Sequence, residues 1–337
     1  MAVLVLGGAG YIGSVTVEHL VRSGRKVIVY DNLSTGHVEV LEPHAVFIEG
    51  DVGDAAGLEK AIREYHVESV MHFCAHSLVD QSIKEPLRYY QNNLQNGIQL
   101  LVSMQRCGVK HFIFSSSASV YGEPETVPID EQAPLNPTNP YGRTKAMFEQ
   151  ILRDCSGAGD LRCISLRYFN ACGATQKHGE DHRPETHLIP IVLDVAVGKR
   201  EVLSIYGRDY PTPDGTCIRD YVHVADLADA HVRALTALER GAPTTAYNLG
   251  NGHGFSVLEV VQAVEEVTSR KIPVHFAPRR AGDPAQLVAS FERIREELRW
   301  YPQTPDLRRI IETAWQWRLE HPNGYAKAEP LVEQRED

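Results

Sequence analysis

The stretch Ala2-Val3-Leu4-Val5-Leu6-Gly7-Gly8-Ala9-Gly10-Tyr11-Ile12-Gly13 decides the fold of this chain of 337 residues. Its start is a continuous apolar run, which predicts a strand buried on both faces of a sheet. Glycines then recur at every third position, and an apolar helical pattern follows. Glycines in such a strand-turn-helix unit let the backbone approach a pyrophosphate at the helix N-terminus. The candidate contacts to a nucleotide are therefore Gly7, Gly10, Tyr11, Ile12 and Gly13.

A carboxylate at the end of the second predicted strand indicates which dinucleotide binds. Lys26-Val27-Ile28-Val29-Tyr30 reads as a strand, and Asp31 follows it directly. A carboxylate at this distance from the glycines accepts hydrogen bonds from the adenosine ribose and repels a 2′-phosphate. The sequence therefore predicts NAD rather than NADP. Asn32, Asp51 and Val52 follow the second and third strands and are further candidate contacts to the cofactor.

The alternation of strands and helices predicts an α/β fold with a Rossmann-type, doubly wound parallel sheet. Further strands are expected at 46–52, 69–73, 110–117 and 162–170. Residues 1–175 form the predicted NAD-binding domain, with segments around 216–250 crossing back. Residues 176–330 form a smaller C-terminal α/β lobe that binds the substrate. Late in the chain we expect a helix over 222–238, a last strand over 246–250, and a helix over 256–268 that opens with a capping box of Ser256 and Glu259.

Ligands bind at the carboxyl ends of parallel strands, so residues at these ends are candidate cofactor contacts. Phe73 and Ala75 follow the fourth strand, Ser115 lies near the end of the fifth, and Tyr168 near the end of the sixth. A helix expected at about 86–107 carries Asn92 and Asn93. Either amide could make a polar contact or belong to a solvated helix face, and the sequence favours neither interpretation. Asn92 is the candidate cofactor contact.

A Tyr-x-x-x-Lys pair supplies the candidate chemistry. Tyr141 and Lys145 are four residues apart on a predicted helix, so their side chains share one face. An ammonium beside a phenol favours the phenolate, so we expect the pKa of Tyr141 to fall and the phenol to act as an acid and base near neutral pH. The spacing alone is common on helix surfaces. The glycine turn and the serines 115–117 face the same crevice, and they support a catalytic role for this pair.

Composition excludes several classes of protein. The formal net charge of −10 argues against a nucleic-acid partner. No apolar run is long enough to span a bilayer, so we expect no membrane association. The six cysteines contain no CxxC pair and suggest reduced thiols in the cytoplasm. His72 and His76 follow a strand pattern, and we expect no metal site.

Several motifs together resemble the extended short-chain dehydrogenases/reductases. They are the glycine turn, the stretch 115–122 (Ser-Ser-Ser-Ala-Ser-Val-Tyr-Gly), the Tyr141/Lys145 pair, and the stretch 167–170 (Arg-Tyr-Phe-Asn). Within that superfamily the chain resembles the family of UDP-glucose 4-epimerases over nearly its whole length. Residues 209–228 are especially similar to that family, and this stretch is far more specific than the glycine turn.

The resemblance implies a tightly held NAD and a UDP-hexose substrate. It implies that Tyr141 removes the proton of the sugar 4-hydroxyl while C4 gives a hydride to the nicotinamide. The 4-keto sugar then rotates and takes the hydride back on its other face, which interconverts UDP-glucose and UDP-galactose. Ser117 matches a serine that binds the 4-oxygen, and Lys145 a lysine that holds the nicotinamide ribose. The other substrate contacts implied by the resemblance are Asn170, His187, Leu188, Ser204, Tyr206, Arg219, Arg280 and Asp283.

Departures from the family pattern leave the preferred sugar open. His187 stands where some members have asparagine, so its charge would depend on pH. Ser77 lies near the place of a cofactor-binding lysine in some members. Leu287 falls about where certain members place a bulky tyrosine, and a smaller residue there could admit N-acetylated sugars. UDP-N-acetylglucosamine, UDP-xylose and UDP-glucuronate are therefore alternative substrates.

Other activities on the same fold are less consistent with the sequence. Sugar-nucleotide dehydratases and decarboxylases carry an acidic residue where this chain has Ala118 and Ser119. A non-catalytic NAD-binding sensor typically loses the tyrosine or the lysine, and both are present. The family often forms homodimers, and the apolar helix at 94–104 is a possible surface for this contact.

Overall fold

The computed structural model of the chain describes residues 1–159, 161–280 and 282–325. The end of the predicted lobe (326–330) and the rest of the tail lie outside the described residues. The main sheet is seven-stranded and parallel, in the order β10-β6-β5-β4-β1-β2-β3. The strands of this sheet are β1 (Ala2–Leu6), β2 (Lys26–Asp31), β3 (Val46–Glu49), β4 (Val67–His72), β5 (His111–Ser117), β6 (Arg162–Tyr168) and β10 (Thr245–Leu249).

Helices cover both faces of this sheet. They are α1 (Tyr11–Arg22), α2 (Ala55–Tyr65), α3 (Val79–Lys84), α4 (Pro86–Tyr90), α5 (Asn96–Cys107), α6 (Pro140–Ala158) and α8 (Val224–Glu239). Successive residues of β1 point to opposite faces. Val3 and Val5 pack in a core with α1 and α8, whereas Leu4 and Leu6 pack in another with α2, α5 and α6. The predicted doubly wound α/β fold is confirmed.

The register of the parallel strands brings the predicted cofactor residues to one edge. Leu6 at the end of β1 lies opposite Tyr30 in β2 and His72 in β4. The glycine turn, Asp31 and Phe73 each follow directly after these positions. The crevice at the carboxyl ends of the strands therefore lies where a doubly wound sheet binds its ligands.

A smaller α/β layer follows in the chain. Its strands are β7 (Asn170–Cys172), β8 (Leu203–Tyr206), β9 (Ile218–His223), β11 (Gly254–Ser256), β12 (Val274–Ala277) and β13 (Gln286–Leu287). Its helices are α7 (Leu188–Ala196), α9 (Val257–Thr268) and α11 (Leu307–Glu320), whereas α10 (Glu292–Leu298) packs against β10 and α8 of the main domain. Apolar faces of α7, α9 and α11 meet β8 in a separate core. The capping box expected at Ser256 and Glu259 opens α9.

Two expectations about this region are wrong in detail. The helix expected over 222–238 begins at Val224, because Val222 and His223 complete β9 and the His223 ring caps the helix by accepting from the N–H of Ala225. The strand expected as the last one is β10, which pairs with β6 at the edge of the main sheet, and more strands follow it. Helix α8 also packs against α1 and the main sheet. The division at residue 175 stays a prediction.

Candidate active site

The glycine turn has the close backbone packing that its spacing predicts. Gly7 has a φ of +78°, and a Cβ there would lie 2.7 Å from the nitrogen of Cys74. A Cβ on Gly13 would lie 2.1 Å from the carbonyl oxygen of Gly7. At Gly10 the same oxygen, 3.4 Å away, is the one heavy atom of the described residues within 4 Å of a Cβ. Gly7 and Gly13 thus hold the turn tight, and Gly10 presents an open backbone at the start of α1, which suits a pyrophosphate.

The hydroxyl of Tyr11, a predicted cofactor residue, serves the protein itself. Tyr11 Oη donates to the carbonyl oxygen of Gly173 at 2.6 Å. The hydroxyl hydrogen of Tyr11 is thus used within the protein, and a cofactor contact of Tyr11 would use its oxygen as an acceptor, its backbone or its ring. Ile12 packs against the core next to α1.

The carboxylate of Asp31 organises the ribose end of the crevice. Its two oxygens accept from the N–H groups of Ala9 and Leu33, each at 2.9 Å. Asn32 donates to Asp51 Oδ2 at 2.7 Å, so the ends of β2 and β3 are tied together. A carboxylate oxygen accepts more than one hydrogen bond, and Asp31 keeps capacity for ribose hydroxyls. Val52, the residue after Asp51, is half-buried.

Asn93, the neighbour of the predicted cofactor residue Asn92, makes polar contacts within the protein. Asn93 is buried, and it accepts from the N–H of His76 at 2.9 Å and donates to Thr144 Oγ1 at 3.1 Å. It thereby joins the loop after β4, which contains Phe73 and Ala75, to helix α6. Asn92 donates to Asn93 Oδ1 at 3.0 Å. Both amides lie in a π-helical turn at 91–95, a distortion that is often found at functional sites.

The start of α6 places Tyr141 beside Ser117. Asn139 caps the helix by accepting from the N–H of Gly142 at 2.8 Å. A Cβ on Gly142 would lie 2.4 Å from the carbonyl oxygen of Ser119, so the glycine lets α6 approach the segment after β5. The Ser117 side chain lies close enough to the Tyr141 hydroxyl to lower its pKa.

Lys145 lies one turn further along the same face of α6, and it is buried. Its Nζ donates to the carbonyl oxygen of Ser115 at 2.7 Å and lies 5.8 Å from the centroid of the Tyr141 ring. Burial raises the pKa of the Cys74 thiol, and the charge of Lys145 opposes this rise. The backbone of Cys74 in turn packs against Gly7. The predicted pair therefore stands at the crevice, next to the glycine turn.

The expected direction of the Tyr141 pKa is wrong. Burial raises the pKa of the Tyr141 phenol, and the hydrogen bond with Ser117 lowers it only in part. Burial also lowers the pKa of Lys145 to about 8. A dry pocket penalises the charged form of both groups. The lysine ammonium donates to the Ser115 carbonyl, and it does not reverse the effect of burial on the phenol.

Ser115 and Tyr168, both predicted cofactor residues, belong to one buried hydrogen-bond chain that also includes His231. Ser115 Oγ donates to Tyr168 Oη at 2.6 Å, and Tyr168 Oη lies 2.5 Å from His231 Nε2. His231 is fully buried on α8 and packs against the ring of Phe73, with centroids 4.8 Å apart. The sequence showed no signal for His231, because it contacts the site from an element far along the chain.

The predicted diphosphate and uracil residues form two contacting pairs. Arg219 Nη2 lies 3.6 Å from Asp283 Oδ1. The guanidinium of Arg280 lies over the Tyr206 ring, 3.9 Å from its centroid. Ser204 lies two residues before Tyr206 on β8, so the two side chains share an exposed face. These arginines could bind phosphate oxygens in pairs.

Asn170 begins the short strand β7, where it lies opposite Tyr221 of β9. That register places it near Arg219, which precedes Tyr221 by two residues on β9. Asn170 is thus on the same small sheet as Arg219, another predicted diphosphate contact. Asn170 also lies next to the end of β6.

His187 lies immediately before α7 and is hydrogen-bonded to the Glu180 carboxylate through Nδ1. This carboxylate is the main cause that raises the pKa of His187, while burial opposes it. Glu180 itself is buried, but His187 and His182 outweigh that burial and lower its pKa to about 2. His187 therefore loses its charge at a higher pH than an ordinary histidine. Leu188 is the first residue of α7.

Two groups of side chains within the described residues could hold a metal ion by geometry. They are Glu180, His182, Glu185 and His187, and a buried group of Glu18, Glu42 and His178. In the first group the imidazoles and carboxylates already pair with one another. The prediction of no metal site stays a prediction.

Fold and site together define a Rossmann-type enzyme with a tyrosine-lysine pair at its dinucleotide crevice. A family model described as the NAD dependent epimerase/dehydratase family matches residues 3–250. The UDP-glucose 4-epimerase of Lacticaseibacillus casei is 49% identical over 96% of this chain and 99% of its own length.

Solved structures agree with this match. The UDP-glucose 4-epimerase of Brucella ovis in complex with NAD superposes with a TM-score of 0.91 at 46% identity, covering 94% of this chain and 97% of that one. The enzyme of Bifidobacterium longum in complex with NAD+ and UDP also has a TM-score of 0.91, at 39% identity, covering 96% of this chain and 100% of that one. The chain belongs to the NAD-dependent epimerase/dehydratase family, in its UDP-glucose 4-epimerase branch. The resemblance read from the motifs and the predicted cofactor are thus confirmed.

In the part of the chain that the structure describes, no helix combines the length and hydropathy needed to cross a bilayer.

Proposed function

We propose that this protein inverts the C4 configuration of UDP-sugars and thereby interconverts UDP-glucose and UDP-galactose, with NAD as its bound cofactor. The observation that carries the proposal is the Tyr141 hydroxyl beside the Ser117 side chain, on the same helix face as the buried Lys145, whose Nζ donates to the Ser115 carbonyl oxygen. This arrangement adjoins the glycine turn through Cys74. A phenol in such a position can exchange a proton with a sugar hydroxyl that hydrogen-bonds to it.

The residues at the crevice fit a dinucleotide. The backbone of Gly10 is open to a pyrophosphate, and the carboxylate of Asp31 can take the adenosine ribose. When bound, the oxidised nicotinamide ring accepts a hydride from carbon and can return it. Lys145 would hold the nicotinamide ribose, and Phe73 and Tyr168 would pack beside the ring.

The proton steps belong to this chain's own residues. Tyr141 takes the proton of the sugar 4-hydroxyl as the 4-keto sugar forms, and it returns that proton when the hydroxyl is restored. Ser117 holds the 4-oxygen in hydrogen-bonding reach of the phenol. Because C4 regains the hydride and the 4-oxygen regains the proton that the sugar gave up, no external oxidant or reductant is required.

The remaining groups would bind the UDP part of the substrate. Arg219 and Arg280 would take the diphosphate, since a guanidinium binds phosphate oxygens in pairs. Tyr206 would stack on the uracil, and His187 would donate to a phosphate. Because these side chains would contact UDP and not the hexose, they would restrict the nucleotide more than the sugar.

The decisive experiment is incubation of the purified protein with UDP-galactose, without added NAD. UDP-glucose is the expected product, with bound NAD verified by its release on denaturation. A panel of UDP-glucose, UDP-N-acetylglucosamine, UDP-xylose and UDP-glucuronate then ranks the sugars by the amount of C4 epimer formed. If the cofactor is bound and no sugar of the panel is epimerised, the chain is a dinucleotide-binding sensor and the proposal fails.

We further propose that the protein is a cytoplasmic homodimer of galactose metabolism. All six cysteines are free thiols, which suits a reducing compartment. Leu87 on α4, Ile98 on α5 and Met147 on α6 are exposed apolar side chains at 81%, 45% and 46%, and they would be covered in a dimer. Light scattering on the purified protein and on Ile98→Asp tests the dimer. A monomeric wild type would exclude it.

A further inference from the structure

The buried hydrogen-bond chain from β5 to α8 continues past the predicted cofactor residues. Ser115 Oγ donates to Tyr168 Oη at 2.6 Å, and Tyr168 Oη lies 2.5 Å from His231 Nε2. His231 Nδ1 lies 2.7 Å from the carbonyl oxygen of Leu227, one turn earlier on α8. Ser115 and Tyr168 are each 8% exposed, and His231 is fully buried. Each of these side chains thus has its polar partners inside the protein.

The chemistry of the groups fixes the direction of every hydrogen bond. A backbone carbonyl only accepts, so Nδ1 of His231 carries the hydrogen that reaches Leu227. Burial lowers the pKa of His231 to about 4, so the ring is neutral and its Nε2 holds a lone pair. Tyr168 must therefore donate its hydroxyl proton to Nε2. The Tyr168 oxygen is then free to accept from Ser115.

This direction matters because Tyr168 lies opposite Ser117 in the register of β5 and β6, at the end of the sheet where Tyr141 stands. The phenols of Tyr168 and Tyr141 interact electrostatically, and burial raises the pKa of Tyr168. Epimerisation needs one proton that moves between a phenol and the sugar oxygen. A second phenolic proton free to turn toward the site would compete for that oxygen. Ser115 matters as well, since its carbonyl holds the ammonium of Lys145.

We propose that His231 is a positioning residue for the epimerisation. By accepting the Tyr168 proton it prevents Tyr168 from donating to the sugar or to Tyr141. Through Tyr168 it also holds Ser115, and with it the anchor of Lys145. This inference rests on the proposed function, because it assigns His231 a task in that same reaction.

A double-mutant cycle of His231→Phe and Tyr168→Phe tests the proposal. Phenylalanine keeps a ring against Phe73 and removes the acceptor. We expect His231→Phe to lower kcat on the order of 10-fold, the effect of a buried hydroxyl left without its partner, with little change in KM. In the Tyr168→Phe background there is no proton to accept, so the same substitution should have little further effect on kcat. Equal effects of His231→Phe in both backgrounds would overturn the proposal.

A matched control separates positioning from general damage to α8. His223 is a buried histidine at the start of the same helix, with its own partners Thr313 and Ala225. His223→Phe should destabilise the fold, and its effect on kcat should be the same with and without the Tyr168 hydroxyl. His231→Gln restores an acceptor and should recover part of the lost turnover. Coupling of His223→Phe to Tyr168→Phe as strong as that of His231→Phe would contradict the assignment.

A measurement on the unaltered protein covers the case in which His231→Phe does not fold. Nitrogen chemical shifts of 15N-histidine-labelled protein should show His231 with its hydrogen on Nδ1 and none on Nε2. A hydrogen on Nε2 would overturn the inference. If the wild type epimerises no UDP-sugar, the proposed function fails instead, and the tautomer still decides whether the hydrogen-bond chain runs as described.

Discussion

Replacing Tyr141 by phenylalanine removes one oxygen atom from the proposed site and leaves the ring in place. The lost oxygen lies beside the Ser117 side chain, whereas the lysine anchor, from Lys145 Nζ to the Ser115 carbonyl oxygen at 2.7 Å, does not involve it. We therefore expect the fold and bound NAD to persist, with a loss of stability of about 1 kcal/mol for one hydrogen bond. Proton transfer by a positioned side chain contributes about 10²- to 10⁴-fold to a rate. Turnover should fall by that factor, which corresponds to roughly 3–5 kcal/mol of activation free energy.

The assay is the turnover of UDP-galactose under saturating substrate, together with the NAD content and the thermal midpoint of each variant. Tyr247→Phe is the matched control, because Tyr247 is also buried and its hydroxyl donates to Glu297 Oε2 at 2.6 Å, away from the proposed site. That variant should lose similar stability and keep its turnover. A Tyr141→Phe protein with bound NAD and turnover within about tenfold of wild type would refute the role of the phenol.

Three further substitutions address the cofactor and the substrate phosphates. Asp31→Ala should reduce the preference for NAD over NADP by about 10- to 100-fold, the worth of hydrogen bonds to a charged group; an unchanged ratio of bound cofactors would mean that another group reads the ribose. Gly13→Ala places a Cβ 2.1 Å from the Gly7 carbonyl oxygen, so the purified variant should contain little NAD, which its absorbance at 260 nm measures. Glu180 raises the pKa of His187, so His187 is charged below that raised pKa and loses its charge as pH rises through it. The KM for UDP-galactose should therefore increase at high pH, and Glu180→Gln should move this increase to lower pH; identical profiles would exclude His187 as a phosphate contact.

The main sheet could be predicted because its signals are local. The apolar run of β1, the tight glycine turn and the strand that ends in Asp31 each depend on neighbouring residues. The capping box at Ser256 is another signal of this kind. The small sheet was missed because β11 and β13 are very short and both depend on pairing with β9. Strands of this size have no periodicity long enough to recognise.

The candidate site shows the same difference between local and tertiary information. The spacing of Tyr141 and Lys145 predicts their shared helix face, since that geometry is local. The direction of the Tyr141 pKa could not be predicted, because it is set by burial under elements distant in sequence. His231 was missed for a related reason, since it follows its partner Tyr168 by 63 residues. Which of Asn92 and Asn93 points inward could not be predicted either, because only the packed helix shows it. The cofactor contact of Asn92 stays a prediction.

Burial of both members of the tyrosine-lysine pair has a consequence for the proposed reaction. The pocket raises the pKa of Tyr141 and lowers that of Lys145 to about 8, so at neutral pH the lysine is still largely charged but the phenol keeps its proton. Additional positive charge near the phenol is needed to favour the phenolate. When bound, oxidised NAD would supply that charge, because its nicotinamide ring is a cation. Tyr141 would therefore give up its proton most readily beside the oxidised cofactor and hold it most firmly beside the reduced one. The sugar loses a proton and a hydride, whose charges cancel. A dry pocket makes each isolated charge costly, so it favours the transfer of both over the transfer of either one alone.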